Sequence, residues 1–415
     1  MITEQEMQQI ALDEGLELSV LRERVASGEI VIVRNPLRKH IKPLAVGRGT
    51  RVKVNANLGA STESADICQE LAKLKAAEEA GADAAMDLSD GGDIRAIRRA
   101  ILDASNIIIG TVPVYEVAVK ATKERGSFLK MTAQDFLDVI EDQAKEGVDF
   151  FTLHCGITKA LLDSHDPEKL RVTSVVSRGG SIICRWIKEN GQENPLYSHF
   201  DQICDICKKY GVALSLGDGM RPGAIADSLD VFQIHELYVL GDLTLRARAR
   251  GVQVFIEGPG HVPINEIETN MRLQKAACHG APFYILGPLV TDIAMGYDHI
   301  AGAIGGAIAA MHGADFLCVV TPSEHISQPD VAAIKDGVIA SRIAGHAVDL
   351  IRNPKEKARD LAMSKARRAR DWEGMTVNAL HPSKVREKLQ GQKKDDKCSM
   401  CGEFCSMKLM DKYNK

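Results

Sequence analysis

Long apolar runs are missing from this chain of 415 residues. No stretch approaches the roughly 18 consecutive apolar residues that indicate a helix crossing a bilayer, so no membrane span is predicted. An excess of charge of one sign is missing too, because the formal net charge is −4 and the pI is near 6.3. That balance indicates binding neither to nucleic acid nor to a membrane surface.

Two local signals are also missing. Residues 1–6 are polar and acidic rather than apolar, so a secretory signal is not expected. We therefore expect a cytoplasmic location. No early G-x-G-x-x-G follows the first candidate strand, which argues against a doubly wound dinucleotide-binding sheet. The composition, 45% hydrophobic, is enough for the core of one barrel-sized domain with additions.

Ten cysteines are present, and most of those before the tail lie in apolar stretches, where reduced core cysteine is expected. The tail differs, since Cys398, Cys401 and Cys405 form a C-x2-C-x3-C run in polar sequence. Three thiolates can hold a [4Fe-4S] cluster with one iron open to a small molecule. A zinc site with a fourth ligand from elsewhere, or unligated thiols, would also fit this spacing.

Short β-branched runs alternate with helical patterns through the middle of the chain, which predicts parallel strands joined by right-handed crossovers. The candidate strands are 51–59, 84–89, 106–115, 150–156, 173–180, 213–221, 252–261, 283–288 and 314–322. Candidate helices include 65–80, 94–104, 132–146, 225–250 and 264–278. We predict an α/β fold, a (β/α)8 barrel with one candidate strand extra or short, and the open doubly wound sheet is the alternative.

Polar residues end nearly all of these runs, at the face where a barrel builds its active site. They are Asn55, Asn57, Asp87, Ser89, Tyr115, His154, Ser177, Arg178, Asp218, Arg221, Glu257, His261, Tyr284, Glu324 and His325. Single polar residues at such positions are commonly caps or turn formers. So many together, of both charges, predict a shared polar pocket.

Two loops and two histidines suggest roles within that pocket. Residues 177–180 combine arginine with glycines at a helix start, as a phosphate site does, and 218–223 is a second such loop. A plain strand–helix turn explains either loop equally well. His261 and His325 follow neighbouring candidate strands and could share a zinc-like ion, although a lone histidine is more often structural.

Residues 52–408 resemble the ThiC family, non-standard radical S-adenosylmethionine (SAM) enzymes that make phosphomethylpyrimidine for thiamin. The matching strings are 53–59 (KVNANLG), 86–89 (MDLS), 110–115 (GTVPVY), 176–180 (VSRGG), 215–223 (SLGDGMRPG), 257–263 (EGPGHVP), 281–284 (APFY), 286–292 (LGPLVTD), 296–300 (GYDHI), 321–325 (TPSEH) and 398–401 (CSMC).

The resemblance implies an N-terminal region (1–48), a catalytic barrel (49–345), a helical extension (346–390) and a flexible tail (391–415) with the cluster cysteines. It implies 5-aminoimidazole ribonucleotide (AIR) as substrate. The implied cofactors are a [4Fe-4S] cluster, SAM and one divalent metal ion, which is expected to be zinc. The expected partners are an electron donor such as flavodoxin or ferredoxin and a second copy in a homodimer, whose tail can reach this barrel.

The resemblance also implies roles for individual residues. Substrate contacts would fall on Asn57, Met86, Tyr115, His154, Ser177, Arg178, Gly179, Asp218, Gly219, Met220, Arg221, Glu257 and Tyr284. Catalytic roles would fall on Glu257, Tyr284 and His154. The divalent ion would bind His261 and His325, and the cluster would bind Cys398, Cys401 and Cys405. One electron from the cluster would cleave SAM, and the resulting 5′-deoxyadenosyl radical would take hydrogen from the ribose.

Some positions depart from the family's usual pattern. Residues 31–40 replace a Pro-x-Asn-x-Asn-His-like segment, Asp90 replaces threonine, Met295 replaces proline, and Val319-Val320 replaces Tyr-Val. Altered pocket walls would change the product, so we predict a member of the paralogous 5-hydroxybenzimidazole synthases (BzaF-like), which use AIR for the cobamide lower ligand. Phosphomethylpyrimidine synthesis is the alternative, and a barrel lyase with a structural zinc tail is a remote one.

Overall fold

The computed structural model describes residues 2–61, 65–390 and 400–411. The chain divides into two compact units, Met1–Val348 and Asp349–Lys415. Most of the predicted flexible tail, including Cys398, lies outside the described residues.

In chain order the strands are β1 (Ile30–Val33), β2 (Leu44–Gly47), β3 (Lys53–Leu58), β4 (Ala84–Asp87), β5 (Ile108–Thr111), β6 (Phe150–Leu153), β7 (Ala213–Leu216), β8 (Val254–Glu257), β9 (Phe283–Leu286) and β10 (Phe316–Cys318). Eight parallel strands close into a barrel in the order β10-β3-β4-β5-β6-β7-β8-β9, and β1 and β2 form a separate antiparallel pair. The predicted (β/α)8 fold is therefore confirmed.

Helices follow the strands and continue into the second unit. They are α1 (Glu4–Glu14), α2 (Leu18–Ser27), α3 (Ile67–Ala80), α4 (Ile94–Ala104), α5 (Pro113–Arg125), α6 (Ala133–Glu146), α7 (Lys159–Ser164), α8 (Pro167–Leu170), α9 (Arg178–Asn190), α10 (Pro195–Ser198), α11 (Phe200–Tyr210), α12 (Val231–Ala249), α13 (Ile267–Ala277), α14 (Asp298–His312), α15 (Val331–Arg352), α16 (Pro354–Ala369), α17 (Trp372–Asn378), α18 (Pro382–Leu389) and α19 (Ser406–Asp411). Within the described ranges, none of them has the length and hydropathy needed to span a membrane.

The helix α4 shows why these segments are helical. The Asp93 side chain accepts the Ala96 backbone N–H and so caps the helix start. Ile94, Ile97 and Ile101 recur at helical spacing and are buried, so one apolar face packs on the barrel. The predicted bounds of this helix are confirmed.

Aromatic side chains fill the barrel beneath its carboxyl-terminal mouth. Phe255 contacts Phe150 edge to face, with ring centroids 5.3 Å apart, and Phe316 at 6.0 Å. The Tyr284 ring lies 4.5 Å from that of Phe316, which supports it from below. All four are buried, so the mouth has a rigid apolar floor.

The amino-terminal rim of the barrel is covered by the segment around β1 and β2. The Asn35 backbone N–H donates to Asp149 at 2.7 Å, and Arg38 forms a buried ion pair with the same carboxylate. Gln253 exchanges two hydrogen bonds with the backbone of Ile32. The segment thereby closes the amino-terminal end of the barrel. The active site is therefore expected at the carboxyl-terminal mouth.

The predicted strand at 173–180 is wrong. Strand β6 pairs directly with β7, which leaves no place for a strand between them. The Asp227 carboxylate accepts the backbone N–H groups of Val172 and Thr173 instead, and Ser174 has a φ of 55°. The segment is therefore a loop that enters α9, and it is the extra candidate among the predicted strands.

Candidate active site

A small cavity of about 70 Å³ lies at the carboxyl ends of the strands. It is lined by Asn57, Met86, Leu88, Val112, Tyr115, Thr152, His154, Arg221, Glu257, Tyr284, Leu286 and Cys318. Asn57 and Leu88 also line a wider cleft of about 1300 Å³ beside the ends of β3 and β10. The inner cavity thus lies next to a space large enough for a further ligand.

Two carboxyl groups meet at this mouth. Glu257 ends β8, and its Oε2 accepts the Asp218 backbone N–H at 3.2 Å. Burial, and then the neighbouring Glu257, raise the pKa of the Asp218 carboxyl well above its usual value. Arg221 donates to Asp218 at 3.0 Å. A buried carboxyl with a raised pKa, beside a second carboxyl and a guanidinium, suits acid–base chemistry.

His154 follows β6 and is neutral at physiological pH. Burial, and then the Arg221 guanidinium, lower the pKa of His154 to about 3. Its Nε2 lies 3.1 Å from Ser177 Oγ, which also accepts the Gly180 N–H and caps α9. A Cβ at Gly179 would collide with the His154 ring, so the glycine is required by packing. His154 can thus exchange hydrogen bonds without adding charge.

We expect His154→Asn to reduce the loss of folding stability that occurs as the pH falls below 7. The folded pKa of about 3 lies below the unfolded value near 6.5, so unfolded chains take up the proton first as pH falls. The unaltered protein should lose about 2 kcal/mol from this group between pH 7 and pH 5, and the variant should not. Urea unfolding at both pH values measures this. The exposed His40→Asn should keep the full slope, and equal slopes for both variants would contradict the assignment.

Several uncharged side chains that contact one another form another wall of the inner cavity. Asn55 Nδ2 donates to the Tyr284 hydroxyl at 2.8 Å, and that hydroxyl lies 3.4 Å from Met86 Sδ. Asn57 Nδ2 lies 3.2 Å from Cys318 Sγ. Burial raises the pKa of the Cys318 thiol to about 12 and that of Tyr284 well above its usual value. This wall therefore carries no charge at neutral pH.

Arg178 lies at the outer edge, at the start of α9. Its Nη1 donates to Asp90 Oδ2 at 2.6 Å, and its guanidinium lies 5.1 Å from the centroid of the Tyr115 ring. The side chain is 55% exposed, so it is available to an anion that competes with Asp90.

His261 and His325 are brought together, with ring centroids 5.2 Å apart. Asp292 Oδ1 lies 2.8 Å from His261 Nδ1, and Asp298 Oδ1 lies 3.4 Å from His325 Nδ1. A carboxylate at Nδ1 orients an imidazole for metal ligation through Nε2, so this donor set fits a zinc-like ion. In the portion of the chain that the structure covers, no group of three or more His, Cys, Asp or Glu side chains forms a metal site.

Cys401 and Cys405 flank one short turn in the second unit, Gly402–Phe404. Gly402 has a φ of 49°, and the Phe404 N–H donates to the Cys401 carbonyl at 3.0 Å. Cys401 is exposed and Cys405 is partly exposed, which fits thiolates that take up a cluster. The third predicted ligand, Cys398, lies outside the described residues.

The predicted substrate contacts divide into two sets. Those on the wall of the inner cavity are Asn57, Met86, Tyr115, His154, Arg221, Glu257 and Tyr284. Those behind or beside it are Ser177, Arg178, Gly179, Asp218, Gly219 and Met220. Met220 is fully buried, and Gly219 packs against Ile157, so both support the site from behind.

Sequence reasoning missed other contributors: Thr152, Cys318, Asp292, Asp298 and Glu236. Cys318 was assigned to core packing, and its position at the end of β10 is the one signal that it faces the mouth. Asp292 and Asp298 lie in quoted family strings but had no predicted role.

The Radical SAM ThiC family matches residues 1–412. The phosphomethylpyrimidine synthase of Dehalococcoides mccartyi (strain CBDB1) is 53% identical over 98% of this chain and 95% of its own length. That of Thermodesulfovibrio yellowstonii is 52% identical over 98% of this chain and 96% of its own. Among solved structures, dihydropteroate synthase from Thermus thermophilus is a distant likeness, with TM-score 0.44 and 14% identity over 77% of this chain and all of that one.

The predicted 5-hydroxybenzimidazole synthase is wrong, because these relatives, at about half identity over nearly the whole chain, are named phosphomethylpyrimidine synthase. None of the departures lines the inner cavity, and two of them, Asp90 and Val319, line the adjoining wider cleft. Met295 is 61% exposed on a loop, Val319 and Val320 are buried, and Asp90 pairs with Arg178. The chain belongs to the radical SAM ThiC family, whose model matches nearly its whole length.

Proposed function

We propose that this chain is a phosphomethylpyrimidine synthase, which converts AIR to 4-amino-5-hydroxymethyl-2-methylpyrimidine phosphate for thiamin biosynthesis. The observation that carries the proposal is 53% identity to a relative of that name over 98% of the chain. The neutral wall and the carboxyl pair of the barrel mouth support it, since both suit a polar heterocycle.

Family membership implies a [4Fe-4S] cluster and SAM. In this proposal Cys398, Cys401 and Cys405 would hold the cluster, which would supply the electron for SAM cleavage. The barrel residues bind and orient AIR and exclude water from the site.

The proposed role of each barrel side chain follows from its charge. Glu257, on the cavity wall, accepts a hydrogen bond from the amino group of AIR, and the neighbouring Asp218, whose pKa is raised, holds a proton beside it. Neutral His154 and Tyr284 bind hydroxyl groups without adding charge. Arg178 and the start of α9 bind the phosphate.

The remaining partners are proposals as well. His261 and His325 are oriented by carboxylates to hold one divalent ion, and zinc suits two imidazoles. A flavodoxin or ferredoxin would supply the electron, and the chain would act as a homodimer.

Anaerobic incubation with AIR, SAM and a reductant tests the function. Mass spectrometry should detect a phosphorylated hydroxymethylpyrimidine. A benzimidazole as product, or unchanged AIR with a fully loaded cluster, would refute the proposal.

We expect Asp90→Asn to bind AIR about fivefold more tightly, because it removes a carboxylate that competes with the phosphate for Arg178. Titration calorimetry without reductant measures the dissociation constant. The exposed Asp138→Asn on α6 should not change it. Unchanged or weaker binding by Asp90→Asn would place the phosphate away from Arg178.

A further inference from the structure

A buried carboxyl group lies behind the loop that carries Asp218 and Arg221. Glu236 is on α12, is 2% exposed, and accepts the Met220 backbone N–H through Oε2 at 2.8 Å. Gly156 faces it, and a Cβ there would lie 2.7 Å from Glu236 Cγ. The space around this side chain is therefore closely fitted.

The same peptide segment is held from its other side. Arg171 donates to the Met220 carbonyl at 2.7 Å and forms an ion pair with Asp230. The Met220 side chain is fully buried, so both polar groups and the side chain of this residue are fixed. Arg221, which follows it on the cavity wall, and Asp218, which precedes it beside the cavity, are thereby held in place.

Burial, rather than the surrounding charges, favours the neutral form of Glu236. The groups that face it are Arg171, Asp218, Glu257, Cys155 and Cys184. Burial raises the pKa of Glu236 to about 8, against the lowering effects of the Met220 N–H and Arg171. A neutral carboxyl avoids a further negative charge beside the carboxyl pair.

We propose that Glu236 is a positioning residue whose buried carboxyl fixes the Met220 peptide and so places Asp218 and Arg221 for substrate. The inference rests on the proposed function only for the identity of that substrate. Glutamine reproduces a neutral carboxyl in shape and in its acceptor, whereas methionine matches its length and removes the acceptor.

Amide hydrogen exchange of the ligand-free protein tests the positioning. Glu236→Met should speed exchange of the Met220 N–H on the order of 30-fold, and Glu236→Gln should leave it near the unaltered rate. Gln274→Met is the matched control, because Gln274 is equally buried but bonds Ala281 instead. An unchanged rate in Glu236→Met, or equal acceleration in Glu236→Gln, would overturn the proposal.

The protonation state has its own test. Between pH 4.5 and 8 the folded protein keeps a proton on Glu236 that the unfolded chain releases, so stability falls as pH rises through that window. The urea concentration at the unfolding midpoint of Glu236→Gln should therefore rise, relative to that of the unaltered protein, between pH 5 and pH 8. A difference between the two midpoints that stays constant with pH would overturn the neutral state.

Substrate binding completes the experiment. Glu236→Met should bind AIR about tenfold more weakly, and Glu236→Gln should bind it normally. Equal binding by both variants would overturn the positioning role. Failure of the unaltered protein to bind AIR would instead contradict the proposed function, and the exchange rates would still decide the role of Glu236.

Discussion

Cys401→Ser should reduce product formation from AIR and SAM below detection. Serine lacks the soft thiolate that binds cluster iron, and only three cysteines occur in the C-x2-C-x3-C run, so none can substitute. The brown colour and broad visible absorbance of the anaerobic protein should be lost together with activity. Cys405→Ser and Cys398→Ser should behave alike.

Cys68→Ser is the matched control, since Cys68 is exposed on α3 in the barrel unit. It should retain both absorbance and turnover. The thermal unfolding of the barrel should be unchanged in Cys68→Ser, Cys401→Ser and Cys405→Ser, because none of these three thiols is buried. Full product formation by Cys401→Ser would remove the basis for radical chemistry in this chain.

Glu257→Gln should lower kcat/KM by about 100-fold with little change in stability. The amide keeps the size of the side chain but cannot ionise, so it removes the acid–base group beside Asp218. Because Glu257 helps to raise the pKa of Asp218, the substitution should also lower that pKa. Steady-state kinetics and the pH profile of kcat/KM measure both effects.

Glu268→Gln, a surface carboxylate on α13, should leave kcat/KM unchanged. If Glu257→Gln kept more than half of the unaltered kcat/KM, the carboxyl pair could not be the acid–base group. The inner cavity would then serve binding alone.

The barrel could be predicted because its signals are local. Buried parallel strands are continuous apolar runs, and the crossover helices carry one apolar face, as in α4. The run at 173–180 failed because Val175 and Val176 suggest a strand, while Asp227, distant in sequence, holds the backbone of the preceding residues. The antiparallel pair of β1 and β2 was missed because its strands are short and far apart.

The product prediction failed for a related reason. Asp90, Met295 and Val319 differ from the family pattern, but a difference in sequence does not reveal whether a side chain faces the cavity. The inner wall contains none of the three. Glu236 was missed because nothing in a helical pattern distinguishes a carboxyl that faces a loop from one that faces water.

By itself the sequence determined the alternation of strands and helices, the polar residues at the strand ends and the trio of tail cysteines, because each depends on residue type and short-range spacing. Only the tertiary structure decided that Asp218 meets Glu257, that Asp292 orients His261 and that Glu236 holds Met220. These contacts join residues on different elements, and barrel closure brings them within hydrogen-bonding distance.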